Sequence, residues 1–222
     1  MTIEQNDSTF EQRKRGRPKL DLDLQSIKKK VLDSAYDVFL EKGFNATTTD
    51  LVAQRAKISK RSIYQAYASK DELFADVVLQ KRHLILDPPG PDEGSPIFLD
   101  RLARLFRLDI SEAESRERLA LLDLITREAA TSPQLTEYLY ERRIIQTREV
   151  LIDWLLVERR DGRIRFDDVQ LVASLLMNVV FGILQPRRRR GFGLALSEQA
   201  PHVLRSLEIV LAGLAIYSDR PQ

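Results

Sequence analysis

Apolar residues return at three- and four-residue spacing along nearly the whole chain, and no apolar–polar alternation runs beyond four residues. A chain with that pattern buries stripes on helices rather than faces of sheets, so the expected fold class is all-α. From Ser26, the positions Ile27, Val31, Ala35, Val38 and Phe39 mark a helix that Gly43 is placed to end. Thr47, Thr48 and Thr49 offer hydroxyls to cap a short helix through Ala56. Lys57-Ile58-Ser59 then connects it to a third helix, Lys60 to Tyr67, and Ser69 caps a fourth running toward Leu86. Pro88-Pro89-Gly90-Pro91 forces a stop. Further helices are expected over 96–111, 116–131, 132–160, 167–184 and 197–217, with a break at Asp161-Gly162-Arg163.

The formal charge of +2 hides an asymmetry. Residues 13–70 hold 14 basic and 6 acidic side chains, and the rest of the chain 21 and 27. The basic segment is directed at a polyanion. Without cysteine there is no disulfide framework, thiolate zinc site or cysteine nucleophile, and His83 and His202 are too far apart in sequence for a histidine-rich metal centre. No glycine-rich phosphate loop, paired-histidine motif or nucleophile elbow occurs, so neither enzyme nor cofactor is expected. Asp109, Asp167 and Asp168 read as charges at helix starts and surfaces. No run of 18 apolar residues suggests a membrane span, and the first ten residues lack the order of a signal peptide, which makes the cytoplasm the expected compartment.

Two short helices joined by three residues have the spacing of a helix-turn-helix, whose second helix fits a major groove about 12 Å wide. Ala53 is small where the helices must cross, and Val52, Ile58 and Ile63 supply apolar contact. The other face of the second helix carries Lys60, Arg61, Ser62, Tyr64, Gln65 and Tyr67. On spacing alone, a solvated helical hairpin fits equally well.

Three motifs in register resemble the TetR family of bacterial transcriptional regulators, in its AcrR-like form: Gly43-Phe44-Asn45-Ala46-Thr47-Thr48-Thr49, Ile58-Ser59-Lys60-Arg61-Ser62-Ile63-Tyr64 and Ser69-Lys70-Asp71-Glu72-Leu73. The resemblance runs from about Ile27 to Leu79, with a weaker echo in Glu128-Ala129 and Ser132-Pro133-Gln134-Leu135. It implies a three-helix helix-turn-helix domain joined through a fourth helix to a helical ligand-binding and dimerisation domain. The expected divisions are a flexible basic arm over 1–25, the DNA-binding domain over 26–86 and the effector and dimerisation domain over 87–222. It further implies a homodimer that represses from a palindromic operator in double-stranded DNA and is released by a small-molecule effector.

Carried over by position, Thr48 and Thr49 meet phosphates, Lys60 and Arg61 open the reading helix, and Ser62, Tyr64, Gln65 and Tyr67 face the groove. The fork of Arg61 suits guanine and the amide of Gln65 suits adenine, while Lys60, Tyr64 and Lys70 are assigned to the backbone. Lys57 and Arg61 stand where the family commonly has glycine, so the turn is expected to differ slightly. Asp50 is expected to face cytosine or to be held off the DNA.

Arg15-Gly16-Arg17-Pro18 resembles the core of an AT-hook, with Arg15 and Arg17 able to enter a narrow minor groove; a loosely attached solubility tail is the alternative. From Val169 to Leu184 nearly every residue is apolar, interrupted by Gln170, Ser174, Asn178 and Gly182, so two sides need cover. The expected dimer surface comprises Leu176, Asn178 and Val180 with Leu207, Val210, Leu211 and Leu214; a deeply buried monomer helix is the alternative. Phe98, Leu102, Phe106, Leu124, Tyr138 and Trp154 are candidates for an effector pocket. The Arg187–Arg190 run is either a solvated connection or a site for an acidic group. An effector weakens operator binding only by preferring misaligned reading helices, and the fourth helix is the expected pivot. An architectural DNA binder without effector is the competing class.

Overall fold

A computed structural model of the chain describes residues 19–91, 93–184 and 195–218, in which helices joined by turns and loops are the regular elements and no strand occurs. The first four helices are α1 (Lys19–Ala46), α2 (Thr49–Ala56), α3 (Lys60–Ala66) and α4 (Lys70–Lys81). They are followed by α5 (Phe98–Leu105), α6 (Glu112–Thr131), α7 (Pro133–Glu141), α8 (Thr147–Arg160), α9 (Val169–Leu184) and α10 (Leu196–Ser218).

Each short helix at the N-terminal end starts at the hydroxyl expected of it. Thr48, Ser59 and Ser69 accept from the backbone N–H groups of Leu51, Ser62 and Glu72. Inside the span of α1, Gly43 breaks the helical path at φ 78°, ψ 170°. A Cβ there would stand 2.9 Å from Glu128 Oε1, so glycine is required twice over, by conformation and by space.

Several boundaries differ from expectation. α1 begins at Lys19 rather than Ser26. α4 ends at Lys81 and tightens into a single 3-10 turn, Arg82–Leu84, because Pro88 forbids a helix through Leu84 and its neighbours. The segment 96–111 is helical only to Leu105, and 132–160 is two helices rather than one. Both interruptions have the same cause. Arg107 and Arg143 adopt left-handed φ values of 55° and 56°, and the following Leu108 and Ile144 donate back to Ala103 and Leu139. These are Schellman closures with arginine in the position that favours glycine. α6, by contrast, starts four residues earlier than expected because Ser111 and Glu114 form a complete capping box.

Two apolar cores result. The first joins Val31, Phe39, Val52, Ile63, Leu73 and Phe74 of the N-terminal helices to Leu121 and Leu124 of α6 and Leu135 and Leu139 of α7. The second packs α5, α8, α9 and α10 around Leu102, Phe106, Leu155, Leu176, Val180 and Leu207. The four N-terminal helices therefore share their interior with part of the C-terminal half.

Candidate nucleic-acid interface

The connection between α2 and α3 is built on Lys57, which takes the left-handed conformation at φ 55°, ψ 44°. Its N–H reaches the Gln54 carbonyl and that of Ile58 reaches Ala53. The turn thus keeps the geometry glycine would favour, contrary to the expected deviation, at a cost of about 1–2 kcal/mol. Val52, Ala53 and Ile63 lock the two helices together from within, with Ile58 half-buried beside them.

That packing leaves Lys60, Arg61, Tyr64 and Gln65 exposed on one face of α3, with Ser62 half-buried at its edge. Thr48 is exposed at the start of α2. Thr49 Oγ1 lies 3.2 Å from the Tyr64 hydroxyl, and the Lys60 ammonium lies 2.8 Å and 3.0 Å from the two Asp50 carboxylate oxygens. Two polar bridges therefore cross from α2 to the exposed face of α3, and Asp50 faces a lysine of its own chain. Nothing in the spacing of these residues indicated either bridge.

Two assignments are corrected. Tyr67 does not face the groove: it is 3% exposed, in the core beneath α3, because α3 ends at Ala66 and the next residue turns inward. Burial, together with Asp76 and Glu72, pushes its hydroxyl pKa well up. Tyr67→Phe is accordingly expected to leave DNA affinity unchanged in an operator titration, whereas loss of a hydroxyl bonded to phosphate would cost about 1.5–3 kcal/mol. Lys70 is also engaged within the protein. Its ammonium donates to the carbonyls of Phe44, Asn45 and Thr47 at 2.7, 3.3 and 3.1 Å and lies 4.3 Å from the centre of the Phe44 ring. Lys70 closes the end of α1 rather than reaching outward, and burial holds its pKa below the usual lysine value.

The C-terminal half touches this head at both ends of α6. Near its start, the Lys81 ammonium pairs with Glu117 at 2.6 Å, and the Tyr36 hydroxyl donates to the Glu117 carbonyl. Burial first, then Glu117 and Asp37, push the Tyr36 pKa to about 12. Near its end, buried Glu128 lies against Gly43, and Ser132 Oγ donates to Asn45 Oδ1 at 3.3 Å.

The model of bacterial regulatory proteins of the tetR family matches residues 31–77, and that of the AefR-like transcriptional repressor C-terminal domain matches residues 100–217. This chain belongs to the TetR family. TetR-family proteins are DNA-binding transcriptional regulators, and no enzyme family is indicated. YdeS of Bacillus subtilis, an uncharacterised HTH-type transcriptional regulator, is 33% identical over 77% of this chain and 82% of its own length. Among solved TetR-type folds, the flavonoid-responsive regulator FrrA aligns with a TM-score of 0.62 and 25% identity, covering 85% of this chain and 97% of its own. GusR of Salmonella enterica aligns with a TM-score of 0.63 at 23% identity, over 85% and 95%. No helix among the described residues is long and apolar enough to cross a membrane, and no cluster of metal-ligating groups occurs among them.

The remaining TetR-type assignments divide unevenly. Leu176, Val180 and Leu207 are fully buried within their own subunit and cannot form a surface. Val210, Leu211 and Leu214 are half-buried and Asn178 is exposed. Besides Gln170 in its first turn, α9 exposes Leu171, Leu175, Asn178 and Gly182, at heptad spacing, and α10 adds Ile209, Ala212 and Gly213. The six pocket candidates do not converge. Leu124 and Tyr138 belong to the first core, and Phe98, Leu102, Phe106 and Trp154 to the second, where Phe98 and Trp154 stack at 5.5 Å. Asp168 caps α9, accepting from Gln170 and Leu171, as its helix-start reading expects. Arg15, Arg17 and the Arg187–Arg190 run lie outside the described residues.

Proposed function

We propose that this protein is a homodimeric repressor that binds a palindromic operator and is released by a small-molecule effector, acting in the cytoplasm where that operator lies. The observation that carries the reading is the exposed set Lys60, Arg61, Tyr64 and Gln65, held on one side of α3 by a buried opposite side. Arg61 and Gln65 read base edges; Thr48, Thr49, Lys60, Ser62 and Tyr64 position the helix on the backbone. Arg15 and Arg17 extend the contact into the adjacent minor groove. The domain divisions follow function: arm over 1–25, reader over 26–86, sensor and dimer over 87–222.

The match to a repressor C-terminal domain supports negative control. One small module buries only about 600–1,000 Å² on DNA, too little for tight specific binding, so two copies on a two-fold site are required. The heptad stripe Leu171, Leu175, Asn178 and Gly182, with Ile209 beside it, is the surface that joins them. The effector enters beside the stacked Phe98–Trp154 pair, where the buried Trp154 Nε1 donor has no protein partner.

Footprinting should show a two-fold symmetric protected site with half-sites about 34–36 Å apart. Arg61→Ala is expected to cost about 1–3 kcal/mol on that site and to relax the preference at a single base pair per half-site. Uniform weakening on every sequence would instead make Arg61 a backbone contact.

A further inference from the structure

Between Thr47 and Lys70 the chain has five basic residues, and three are already engaged: Arg55 with Glu41 at 2.7 Å, Lys60 with Asp50, and Lys70 with the carbonyls ending α1. Among the described residues only Lys57 and Arg61 of these five have no acidic or carbonyl partner. The Asp50–Lys60 pair differs from the others because it lies on the exposed face of the candidate reading helix, with the two side chains 64% and 52% exposed. The Tyr64 ring, 6.0 Å from the ammonium, and the Thr49–Tyr64 hydroxyl contact keep the same crossing in place.

We propose that Asp50 determines specificity at the DNA interface, by holding the Lys60 ammonium across the α2–α3 crossing and withholding it from arbitrary phosphates. The inference rests on α3 being the reading helix. Non-specific affinity is almost entirely phosphate neutralisation, and each cation engaged adds about 0.9 to the salt slope. An exposed ion pair shifts an equilibrium by about fivefold at most, so it is a weak latch. On a docked operator, with Tyr64 and Lys60 in register with its backbone, the three N–H donors of the ammonium reach a phosphate without leaving Asp50, so no pairing energy is lost; on unrelated sequence the ammonium reaches a phosphate only by leaving the carboxylate. The carboxylate also repels phosphates that approach α3 out of register. The result is a reader that is less sticky on bulk DNA without equal loss on its own site.

The test uses the full-length protein in anisotropy titrations against the footprinted operator and a scrambled duplex of equal length, over 50 to 200 mM salt. Asp50→Asn is expected to tighten binding to the scrambled duplex by about three- to fivefold and to steepen its slope by about 0.9, while operator affinity changes less than twofold. Asp50→Glu should stay near wild type. In a Lys60→Gln background, Asp50→Asn should alter the slope by clearly less than about 0.9. Unchanged scrambled-duplex binding in Asp50→Asn, with an unchanged melting temperature, overturns the proposal; so does an equal slope change with and without Lys60. If Asp50→Asn behaves as expected but Arg61→Ala leaves operator preference intact, the assignment of base reading fails while the Asp50 latch stands. A wild-type protein that binds neither duplex would remove the reading helix and the latch together.

Discussion

Glu158→Gln is expected to lower stability by about 3–5 kcal/mol, the cost of stranding a buried charge. Glu158 is 0% exposed and Arg101 3%, and the Arg101 guanidinium donates to both carboxylate oxygens at 2.9 and 2.7 Å. The same guanidinium also donates to the carbonyls of Glu93 and Gly90, and so ties the proline-rich segment after α4 onto α5 and α8. With that carboxylate removed, buried Arg101 loses its counter-charge, while the neighbouring Arg163, which shares Glu158, keeps only Asp161. For a chain of this size the loss corresponds to roughly 6–20 °C in melting temperature. The paired replacement Arg101→Met with Glu158→Met should recover most of it, since similar-sized apolar groups do as well in such places. The exposed pair Arg205–Glu208 supplies the contrast, and Glu208→Gln should cost less than about 1 kcal/mol. Thermal melts of the three variants beside the wild type decide the matter; a Glu158→Gln protein as stable as the Glu208→Gln protein would contradict the buried pair.

The second large effect is on DNA. Leu171 is 50% and Ile209 62% exposed in a single subunit, unusual for apolar residues on the two helices that contact each other most closely in the C-terminal half. Charging the stripe with Leu171→Glu and Leu175→Glu should leave the fold intact, yield a monomer by sedimentation, and weaken operator binding at least about a hundredfold, toward the non-specific range. Val180→Glu should behave differently. Val180 is fully buried in its own subunit, so that substitution unfolds the protein instead of separating two copies. A Leu171→Glu/Leu175→Glu protein that stays dimeric with unchanged affinity would move the interface elsewhere.

The helix-turn-helix was legible because its signals are local. Three hydroxyl caps, one glycine and a three-residue connection fix their own geometry whatever surrounds them. Tyr67 and Lys70 were misplaced for the opposite reason, since their roles depend on what packs against them: the core under α3, and the end of α1 some 23 to 26 residues earlier in the chain. The missed breaks at Arg107 and Arg143 have a readable trace after all. In each, and at Lys57, a basic residue in the left-handed conformation is followed at once by Leu or Ile, which supplies the apolar contact that usually accompanies this closure. Without glycine as a marker, such a pair blends into an amphipathic run. Arg101, Arg118 and Glu158 were equally invisible, because three charged letters in helical segments read as surface. Arg118 is 1% exposed, donates to the carbonyls of Phe106 and Arg107 where α5 ends, and is pushed by burial to a pKa of about 10. The helix stripe on α9 was seen, but periodicity alone could not say which side faced inward, and the half assigned to the partner included the half that α8 and α10 cover.

Because Lys70 rivets the first turn of α4 to the last carbonyls of α1, those two helices and the pair they cradle form one solid block. A pull on α4 from the C-terminal half cannot slide it past its neighbours or loosen the turn ahead of α2; it can only tip the four helices together. Under the proposed effector control, the work of binding goes into aiming an intact tool, and switching should proceed at the pace of rigid rotation, with amide exchange in α2 and α3 equally slow in the bound and free states.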